Sequence, residues 1–575
     1  MPKSKKRVAA KASKRKSRRP TARRAALEAV TRAVARQTDI FLETIHEAVS
    51  VIPDECRVDR VTDPIEAMAM LDATRLAIED LGRRYAQTMG SYSWLFWLRR
   101  LPIEIFSTGP VTSRIYCRAL AEVISSSTTT PELFGAKSFR SVTLAISDSQ
   151  LESLMKLCSI ARLLGTVHSV MRRAGKGESV RWSRRGLPSP VPDAELDEMI
   201  GLYDDRHLSQ LGFRAGTQPF RFQPLFAKQI EPGRLEQFAL VVRELPEAAD
   251  ITYWRGPVSA VSGMQTRPGM FLAGLMTTAN LRDLLASSED VTVWQELRQL
   301  TSLLIILRIV FIATFSYGSG SEWNALPAVG YLVIPSADLL EYIQTHLSAV
   351  SADLLEILPG SIASDANQIL ADVAAIETRP WPLARGPILR IAGAQTAIDL
   401  NAATYRIDEL MTIPGTGGGA LVNMRGLQFE QHVQEMIDQT AWAPSPSLRE
   451  FRGRTLRYNR RSITDVDALA ASESAVLLVS CKSVPYTYDY ERGDYTAVRN
   501  VRTYIERADI EWQQRIERLR RESNGDNYNF EGYEIYGVVC TPFVIFAYRP
   551  QTRVIIERTG RLLRATCGIG ELIGF

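Results

Sequence analysis

Apolar residues recur at helical spacing through the N-terminal part of the chain. Between Ala25 and Val51 they fall mostly three or four residues apart, and a second amphipathic pattern runs from Asp148 to Arg173. Asp63 followed by Pro64 predicts a helix start, because aspartate is a preferred N-cap and proline suits the first helical position. We therefore predict a helical domain over residues 25–190.

A proline-rich break at residues 187–192 precedes a second region, residues 191–412, which is again mainly helical. Short extended runs at Asp250–Trp254 and Gly330–Ile334 interrupt the helical pattern. The most apolar stretch, Leu303–Phe315, is too short to span a bilayer. We interpret it as a buried core helix.

The pattern changes after a glycine-rich segment, residues 413–420, which we interpret as a flexible linker. Beyond it a short continuous apolar run, Ala475–Val479, is typical of a buried strand. A long amphipathic helix over residues 498–519 and one or two strands over residues 534–548 follow. This order predicts a mixed sheet flanked by helices in residues 421–575. The predicted fold class is α+β, with a large, mainly α-helical N-terminal portion before this C-terminal α/β domain.

The positive charge of the chain is concentrated at its start. The formal net charge is +5, but residues 1–24 contain twelve Lys or Arg and no acidic residue, which leaves a net charge of −7 on the remainder. Residues 1–24 also contain few large apolar residues, which predicts a disordered basic tail. A nucleic-acid-binding arm, an organelle transit peptide and a solubilising tail remain open as its role.

Cysteine and histidine usage argues against a zinc site or a disulfide framework. The six cysteines are far apart and form no C-x-x-C pair, and the five histidines are scattered singly. This usage favours a reducing compartment. We predict a cytoplasmic protein, or a nucleoid or nuclear one if the basic tail is a targeting or DNA-binding arm.

Two N-terminal segments carry residues that nucleic-acid-binding proteins use. Aromatic residues cluster in Tyr92–Ile105, and we interpret them as core rather than as a base-stacking platform. Residues 172–185 are predicted to form a basic loop that contains Trp182. A nucleic-acid contact and a solvated loop are both open for this segment.

The candidate chemistry lies between Gly426 and Ser483. An apolar helix face, formed by Phe429, Val433, Met436 and Ile437, carries Glu430 on its shoulder. Asp465 and Asp467 are expected on one side of a strand, because side chains alternate along it. The next strand ends in Ser480, Cys481 and Lys482, with Cys481 on the opposite face from the other two. Carboxylates on strands bind hard cations such as Mg²⁺ or Mn²⁺, which activate water for phosphodiester hydrolysis.

This order of helix glutamate, strand aspartate and X-X-Lys resembles the restriction-endonuclease-like PD-(D/E)XK nuclease superfamily over residues 421–557. The resemblance implies that Glu430, Asp467 and Lys482 are catalytic. It also implies a metal held by Asp467, Glu430 and the backbone carbonyl of Cys481. Ser480 stands where the family usually has a carboxylate, so it is a doubtful ligand and Glu430 would take over that part.

A basic segment precedes Asp467 and would contact nucleic acid. Its arginines are Arg452, Arg454, Arg457, Arg460 and Arg461. The predicted partner is therefore nucleic acid, with DNA favoured and no membrane, and a homodimer or a protein partner of the helical N-terminal portion stays open.

Three hypotheses follow for the function. The first is a metal-dependent nuclease, and the resemblance implies restriction, phage defence or repair as its setting. The second is a nucleic-acid-binding or scaffolding protein whose nuclease-like site has decayed, as Ser480 would permit. The third is a helical interaction protein with an unrelated α/β end.

Overall fold

The computed structural model describes residues 35–99, 111–131, 147–216, 222–224, 237–244, 271–277, 294–295, 297–317, 326, 330–358, 360–361, 365–376, 386–412, 420–484, 487–547, 554–556 and 562–575. These residues form a mixed α+β structure with several small sheets. The basic tail 1–24, the extended run Asp250–Trp254 and residues 413–419 of the predicted linker lie outside the described residues.

Helices dominate the N-terminal part of the chain. They are α1 (Gln37–Val51), a 3₁₀ turn (Asp54–Cys56), α2 (Pro64–Ala86), α3 (Ser91–Leu98), α4 (Val111–Ser126) and α5 (Asp148–Gly175), with the small antiparallel sheet β1 (Arg60–Thr62), β2 (Val180–Trp182) and β3 (Ser189–Pro190). They share one apolar core. The predicted start of α2 is confirmed, because the Asp63 carboxylate accepts hydrogen bonds from the backbone N–H groups of Ile65 at 2.9 Å and Glu66 at 3.0 Å.

The predicted basic loop at residues 172–185 is wrong. Its first four residues end α5, and Val180–Trp182 is strand β2, paired with Arg60–Thr62. Trp182 is only 2% exposed, and its indole N–H donates to the Thr62 hydroxyl at 2.8 Å. Because pairing with a distant strand buries the ring, Trp182 cannot stack on a base.

The predicted core positions in this part of the chain are confirmed. Trp94, Phe96 and Trp97 of α3 are buried, and the Trp94 indole donates to the Ala86 carbonyl at 2.7 Å. Among the described helices, Ser149–Gly175 within α5 is long and apolar enough to cross a membrane, and 72% of its most apolar stretch is buried inside the protein. The core helix of a soluble protein can have the same length and apolarity, and α5 packs against α1, α2 and α4.

The central part of the chain combines helices with two three-stranded sheets. Its elements are α6 (Ala194–Gly216), β4 (Phe222–Pro224), β5 (Gln237–Glu244), β6 (Phe271–Thr277), α7 (Arg298–Tyr317), β7 (Tyr331–Pro335), α8 (Ser336–Ile357), α9 (Ala366–Ala374), β8 (Leu389–Ala392), β9 (Gln395–Asp399) and α10 (Leu400–Thr412). The strand orders are β4-β6-β5 and β7-β9-β8. The predicted core helix at Leu303–Phe315 is confirmed as the middle of α7.

A buried ionic cluster joins the N-terminal helices to the central sheets. The Arg99 guanidinium donates two hydrogen bonds to Glu122, both at 3.0 Å, and two to Asp399 at 2.6 and 3.2 Å. Arg118 also pairs with Glu122 and with Glu244. The side chains of Arg99 and Asp399 are each only 1% exposed. Opposite charges therefore tie together segments 300 residues apart in the sequence.

The C-terminal part contains the mixed sheet. Its elements are α11 (Ala420–Ile437), α12 (Pro446–Arg449), β10 (Thr455–Tyr458), β11 (Arg461–Asp465), β12 (Ala468–Ala471), β13 (Ala475–Cys481), α13 (Tyr488–Glu491), α14 (Tyr495–Arg521), β14 (Glu534–Thr541), β15 (Val554–Ile556), β16 (Leu562–Arg564), β17 (Thr566–Gly568) and α15 (Ile569–Gly574). The sheet order is β12-β13-β14-β17, antiparallel at the first pair and parallel thereafter.

Helices cover both faces of this sheet, as its hydrophobic pattern predicts. Val433 and Ile437 of α11 pack on one face, and Trp512 and Ile516 of α14 pack on the other. Helix α14 connects the parallel strands β13 and β14, so the helix-covered sheet follows from the chain order.

Helix α6 packs against the C-terminal part of the chain. Leu196, Ile200 and Tyr203 share a core with Val484, Tyr490, Val498, Ile505 and residues 543–546. The Arg206 guanidinium donates to the Glu571 carboxylate at 2.7 and 2.9 Å. The domain boundaries drawn at residues 190 and 420 stay a prediction. Helix α6, which lies between them in the sequence, packs against residues beyond 420.

Candidate active site

Asp467 occupies the break between strands β11 and β12. Its carboxylate accepts a hydrogen bond from the Cys481 backbone N–H at 2.7 Å and one from the Ser480 hydroxyl at 3.4 Å. The aspartate is therefore fixed at the end of β13, the strand that precedes Lys482.

The expectation that Asp465 and Asp467 share one side of a single strand is wrong. Asp465 ends β11, which pairs with β10 in a separate two-stranded sheet, and its carboxylate accepts from the Thr455 hydroxyl. Asp467 instead leads into β12 of the four-stranded sheet. The strand breaks between them because β11 and β12 pair with different partners, so Asp465 faces outward and is exposed.

Helix α11 holds Glu430 beside Asp467. The side-chain amide of Gln434 donates to the Leu469 carbonyl at 3.0 Å and accepts from the Leu469 N–H at 2.8 Å. These two bonds attach α11 to β12 two residues after Asp467, and Glu430 lies one helical turn before Gln434. No sequence signal identified Gln434, because a glutamine on a helix is ordinarily exposed.

The electrostatic environment raises the pKa of both carboxyl groups. Partial burial is the main reason that the pKa of Glu430 is raised, and the negative charge of Asp467 adds to it, against the opposing charges of Lys482 and Arg452. Burial also raises the pKa of Asp467, although its bonds to Cys481 and Ser480 and the charge of Lys482 act in the opposite direction. A positive charge placed between two carboxylates of this kind stabilises their ionised forms.

Lys482 follows directly after β13 and is half-buried. Its backbone N–H donates to the Cys540 carbonyl on β14 at 2.8 Å, which fixes the main chain at this point. Its positive charge lowers the pKa of Glu430, Asp467 and Glu511. Glu430, Asp467 and Lys482 therefore interact electrostatically near the end of β13, and their assignment as one catalytic site stays a prediction.

Ser480 and Cys481 point to opposite faces of β13. The Ser480 side chain is buried and directed to Asp467, while the Cys481 thiol packs in the core beneath α11. Burial and the charges of Asp467 and Glu430 raise the pKa of that thiol well above its ordinary value. The thiol is accordingly a core group, and the assignment of the Cys481 carbonyl to a metal stays a prediction.

Comparisons of the chain with protein-family models, with curated proteins and with solved structures found no match. The resemblance to the PD-(D/E)XK superfamily thus depends on the residues and their arrangement.

The donor set at this site fits a hard divalent cation with few protein ligands. Within the described residues, no group of three or more His, Cys, Asp and Glu side chains is placed to hold a metal ion. The site offers the carboxylates of Glu430 and Asp467 and the hydroxyl of Ser480. Mg²⁺ commonly takes only one or two carboxylates and keeps several waters, so these oxygen donors are compatible with Mg²⁺ or Mn²⁺.

The predicted nucleic-acid contacts lie on or beside the β10–β11 hairpin. Arg452 precedes the hairpin, is half-buried and interacts electrostatically with Glu430. Arg454 forms an ion pair with Glu450 at 3.4 Å. Arg457, Arg460 and Arg461 are exposed along the hairpin. The basic segment therefore runs from the carboxylates outward to solvent.

Two charged residues of α14 border the site and escaped the sequence analysis. The Arg507 guanidinium donates a hydrogen bond to the Glu511 carboxylate at 2.8 Å, and that bond, together with the charges of Arg507, Arg515 and Lys482, lowers the pKa of Glu511. Arg515 donates to the Thr464 hydroxyl on β11 at 3.4 Å. Helix α14 has many exposed charges, so nothing in the sequence distinguishes these two.

Proposed function

We propose that the chain is a metal-dependent nuclease that hydrolyses phosphodiester bonds, with DNA as the favoured substrate. The observation that supports this most directly is the position of Asp467, bonded to the backbone N–H of Cys481 at the strand end that carries Lys482. Glu430 interacts electrostatically with both residues. This arrangement is the one that the resemblance to the PD-(D/E)XK superfamily implies, and a restriction-endonuclease-like fold for residues 421–575 is part of the proposal.

The chain's own residues would divide the work as follows. Glu430 and Asp467 would hold Mg²⁺ or Mn²⁺, with the Ser480 hydroxyl orienting the Asp467 carboxylate. A bound metal would polarise the phosphate and make its water more acidic. The Lys482 ammonium holds the attacking water or stabilises negative charge that develops on the phosphate, so its contribution belongs to the transition state. The arginines of the β10–β11 hairpin hold the nucleic-acid backbone.

Cellular setting and partners belong to the same proposal. Restriction, phage defence or repair would use such a nuclease, and a cytoplasmic or nucleoid location would bring it to DNA. The helical N-terminal portion would then recognise the substrate, a protein partner or a second copy of the chain.

The decisive experiment compares wild type with Lys482→Ala on plasmid, linear duplex DNA, single-stranded DNA and RNA, each with Mg²⁺, Mn²⁺ or EDTA. We expect the variant to lose roughly 10²- to 10⁴-fold in cleavage rate, the usual contribution of a positioned proton-transfer or charge-stabilising group. DNA affinity and the unfolding midpoint should change little. Lys156→Ala is the matched control, because Lys156 is a partly buried lysine of α5 that pairs with Glu152 at 3.6 Å.

Equal, non-zero cleavage by wild type and Lys482→Ala would remove Lys482 from the mechanism. Metal-independent cleavage by wild type would contradict the metal role of Glu430 and Asp467.

A second candidate is a nucleic-acid-binding or scaffolding protein with a decayed site. The observation in its favour is Ser480, which leaves two carboxylates where the resemblance implies a further strand carboxylate. Binding of DNA by wild type without cleavage of any substrate in any metal would favour this candidate over the nuclease.

A further inference from the structure

The tip of the β10–β11 hairpin has an unusual backbone. The hairpin tip consists of Asn459 and Arg460, whose φ angles are +50° and +62°. Of the residues that the structure describes, they are the only ones other than glycine with positive φ. Two consecutive left-handed residues between paired strands define the tight turn that suits the twist of a hairpin.

Arg460 is strained at this position. Asparagine is well tolerated in the left-handed region, but the second position of such a turn strongly favours glycine, because a Cβ atom crowds the backbone there. A strained, exposed residue at the tip of a hairpin whose base lies beside a candidate active site is a sign that its side chain serves a purpose other than folding.

A neighbouring loop holds the hairpin tip in place. The Asp526 carboxylate accepts hydrogen bonds from the backbone N–H groups of Asn459 at 3.1 Å and Arg460 at 2.6 Å. Asn527 donates to the Thr455 carbonyl at 2.9 Å and accepts from the Arg457 N–H at 2.8 Å. The tip is therefore ordered before any ligand binds. Because Asp526 already occupies the backbone N–H groups of Asn459 and Arg460, the hydrogen-bond donors that these two residues can offer a ligand are on their side chains.

The exposed side chains of the tip suit base recognition. Asparagine can bond both groups on the major-groove edge of adenine, and arginine can bond both acceptors of guanine. Arg457 and Arg461 flank the tip and are exposed, and neither they nor Arg460 form an ion pair with another described residue. They are placed to contact the phosphates on either side, which position a protein without reading sequence.

We propose that Asn459 and Arg460 read base pairs in the major groove of double-stranded B-form DNA. This inference rests on the proposed function in so far as the C-terminal region must bind nucleic acid. The major groove of B-form DNA is about 12 Å wide and admits a two-stranded β-ribbon, whereas the major groove of A-form RNA is too narrow for side chains to read. The substrate class is therefore duplex DNA, recognised with preference for a short sequence that includes a G·C pair.

The test separates binding from cleavage. Full-length wild type is mixed with a random-sequence duplex DNA library in Ca²⁺, bound DNA is recovered over several rounds, and the enriched sequences are read. Affinity is then measured for the enriched duplex, a scrambled duplex and an RNA duplex of the same sequence. We expect an enriched motif with at least one fixed G·C pair.

The variants separate base reading from charge and from folding. Arg460→Gly should relieve the strain and raise the unfolding midpoint of the full-length chain by about 1 °C. It should nevertheless weaken binding to the enriched duplex roughly 5- to 150-fold and lose selection at one base pair. Arg460→Lys keeps the charge but not the paired donors, so it should lose the same selection. Arg461→Ala is the control, and it should weaken binding to all duplexes alike.

Several results would overturn the inference. They are the absence of an enriched motif, the same motif for Arg460→Gly as for wild type, stronger binding to the RNA duplex, and a lower unfolding midpoint for Arg460→Gly. Failure of the nuclease proposal is a separate result: wild type would then enrich the motif in Ca²⁺ yet cleave the enriched duplex in neither Mg²⁺ nor Mn²⁺.

Discussion

Replacement of Asp467 by asparagine should make the metal-free protein more stable while abolishing cleavage. Burial raises the pKa of Asp467 despite its hydrogen bonds to Cys481 and Ser480, so the folded chain holds the ionised carboxylate at a disadvantage. Asparagine carries no charge to desolvate, so we expect the variant to unfold at a higher urea concentration than wild type at pH 7. Asparagine retains an oxygen that can accept the Cys481 N–H bond.

The pH dependence of unfolding tests independently whether Asp467→Asn is more or less stable than wild type. Below the ordinary aspartate pKa of about 3.9, Asp467 is protonated in the folded and unfolded chains alike, so wild type and variant should not differ through this group. As the pH rises through the raised pKa of the folded state, wild type loses stability and asparagine does not titrate. The advantage of the variant should therefore grow as the pH rises above the ordinary aspartate pKa and level off once Asp467 is ionised in the folded chain.

The assay is urea unfolding in EDTA from pH 4 to pH 8, followed by circular dichroism and tryptophan fluorescence. Asp465→Asn is the matched control, because this exposed neighbour should shift stability by no more than about 0.5 kcal/mol. Mg²⁺ should stabilise wild type more than Asp467→Asn, since a ligand that binds only the folded state adds its binding free energy. An Asp467→Asn protein less stable than wild type at pH 7, or an advantage that shrinks as the pH rises, would refute the reasoning.

Two further substitutions test other parts of the structure. Ser480→Glu places a third carboxylate at a buried position beside Asp467. In EDTA the thermal unfolding midpoint of Ser480→Glu should therefore be lower than that of Ser480→Gln. Mg²⁺ should reduce the difference between the two midpoints. A gap insensitive to Mg²⁺ would exclude the Ser480 position from the metal shell. Arg99→Met leaves Glu122 and Asp399 buried without their shared counter-charge, and urea unfolding should show a loss of about 3 to 5 kcal/mol. A loss below about 1 kcal/mol would show that the other arginines of the cluster suffice.

The sequence predicted those helices and strands that have a clear pattern of apolar residues within the segment itself. The apolar positions of α14 repeat with the helical period, and β13 is a continuous apolar run, so both could be recognised without knowledge of their partners. The order of Glu430, Asp467 and Lys482 along the chain predicted one site, and the structure shows that Glu430 and Asp467 interact electrostatically with Lys482 and with each other.

The failures occurred where distant segments pair. Trp182 lies in a strand only because Arg60–Thr62 lies beside it, and Asp465 and Asp467 separate because β11 and β12 pair with different strands. The hairpin tip escaped notice because Asn-Arg lacks the glycine that normally marks such a turn. A pattern within one segment carries no information about its partner, so these features required the structure.

The packing of α6 on the C-terminal core has a consequence for how the chain folds during synthesis. About 280 residues separate Tyr203 from Val484, its partner in that core. At a synthesis rate of about 5 to 20 residues per second, the apolar face of α6 waits roughly 15 to 55 s before its partners are made. A fragment that begins at the glycine-rich segment would conversely leave Val484, Tyr490 and Phe546 without the helix that covers them. Fragments of the C-terminal region should therefore be co-expressed with residues 194–216, and their soluble yield with and without that helix measures how much the C-terminal core depends on it.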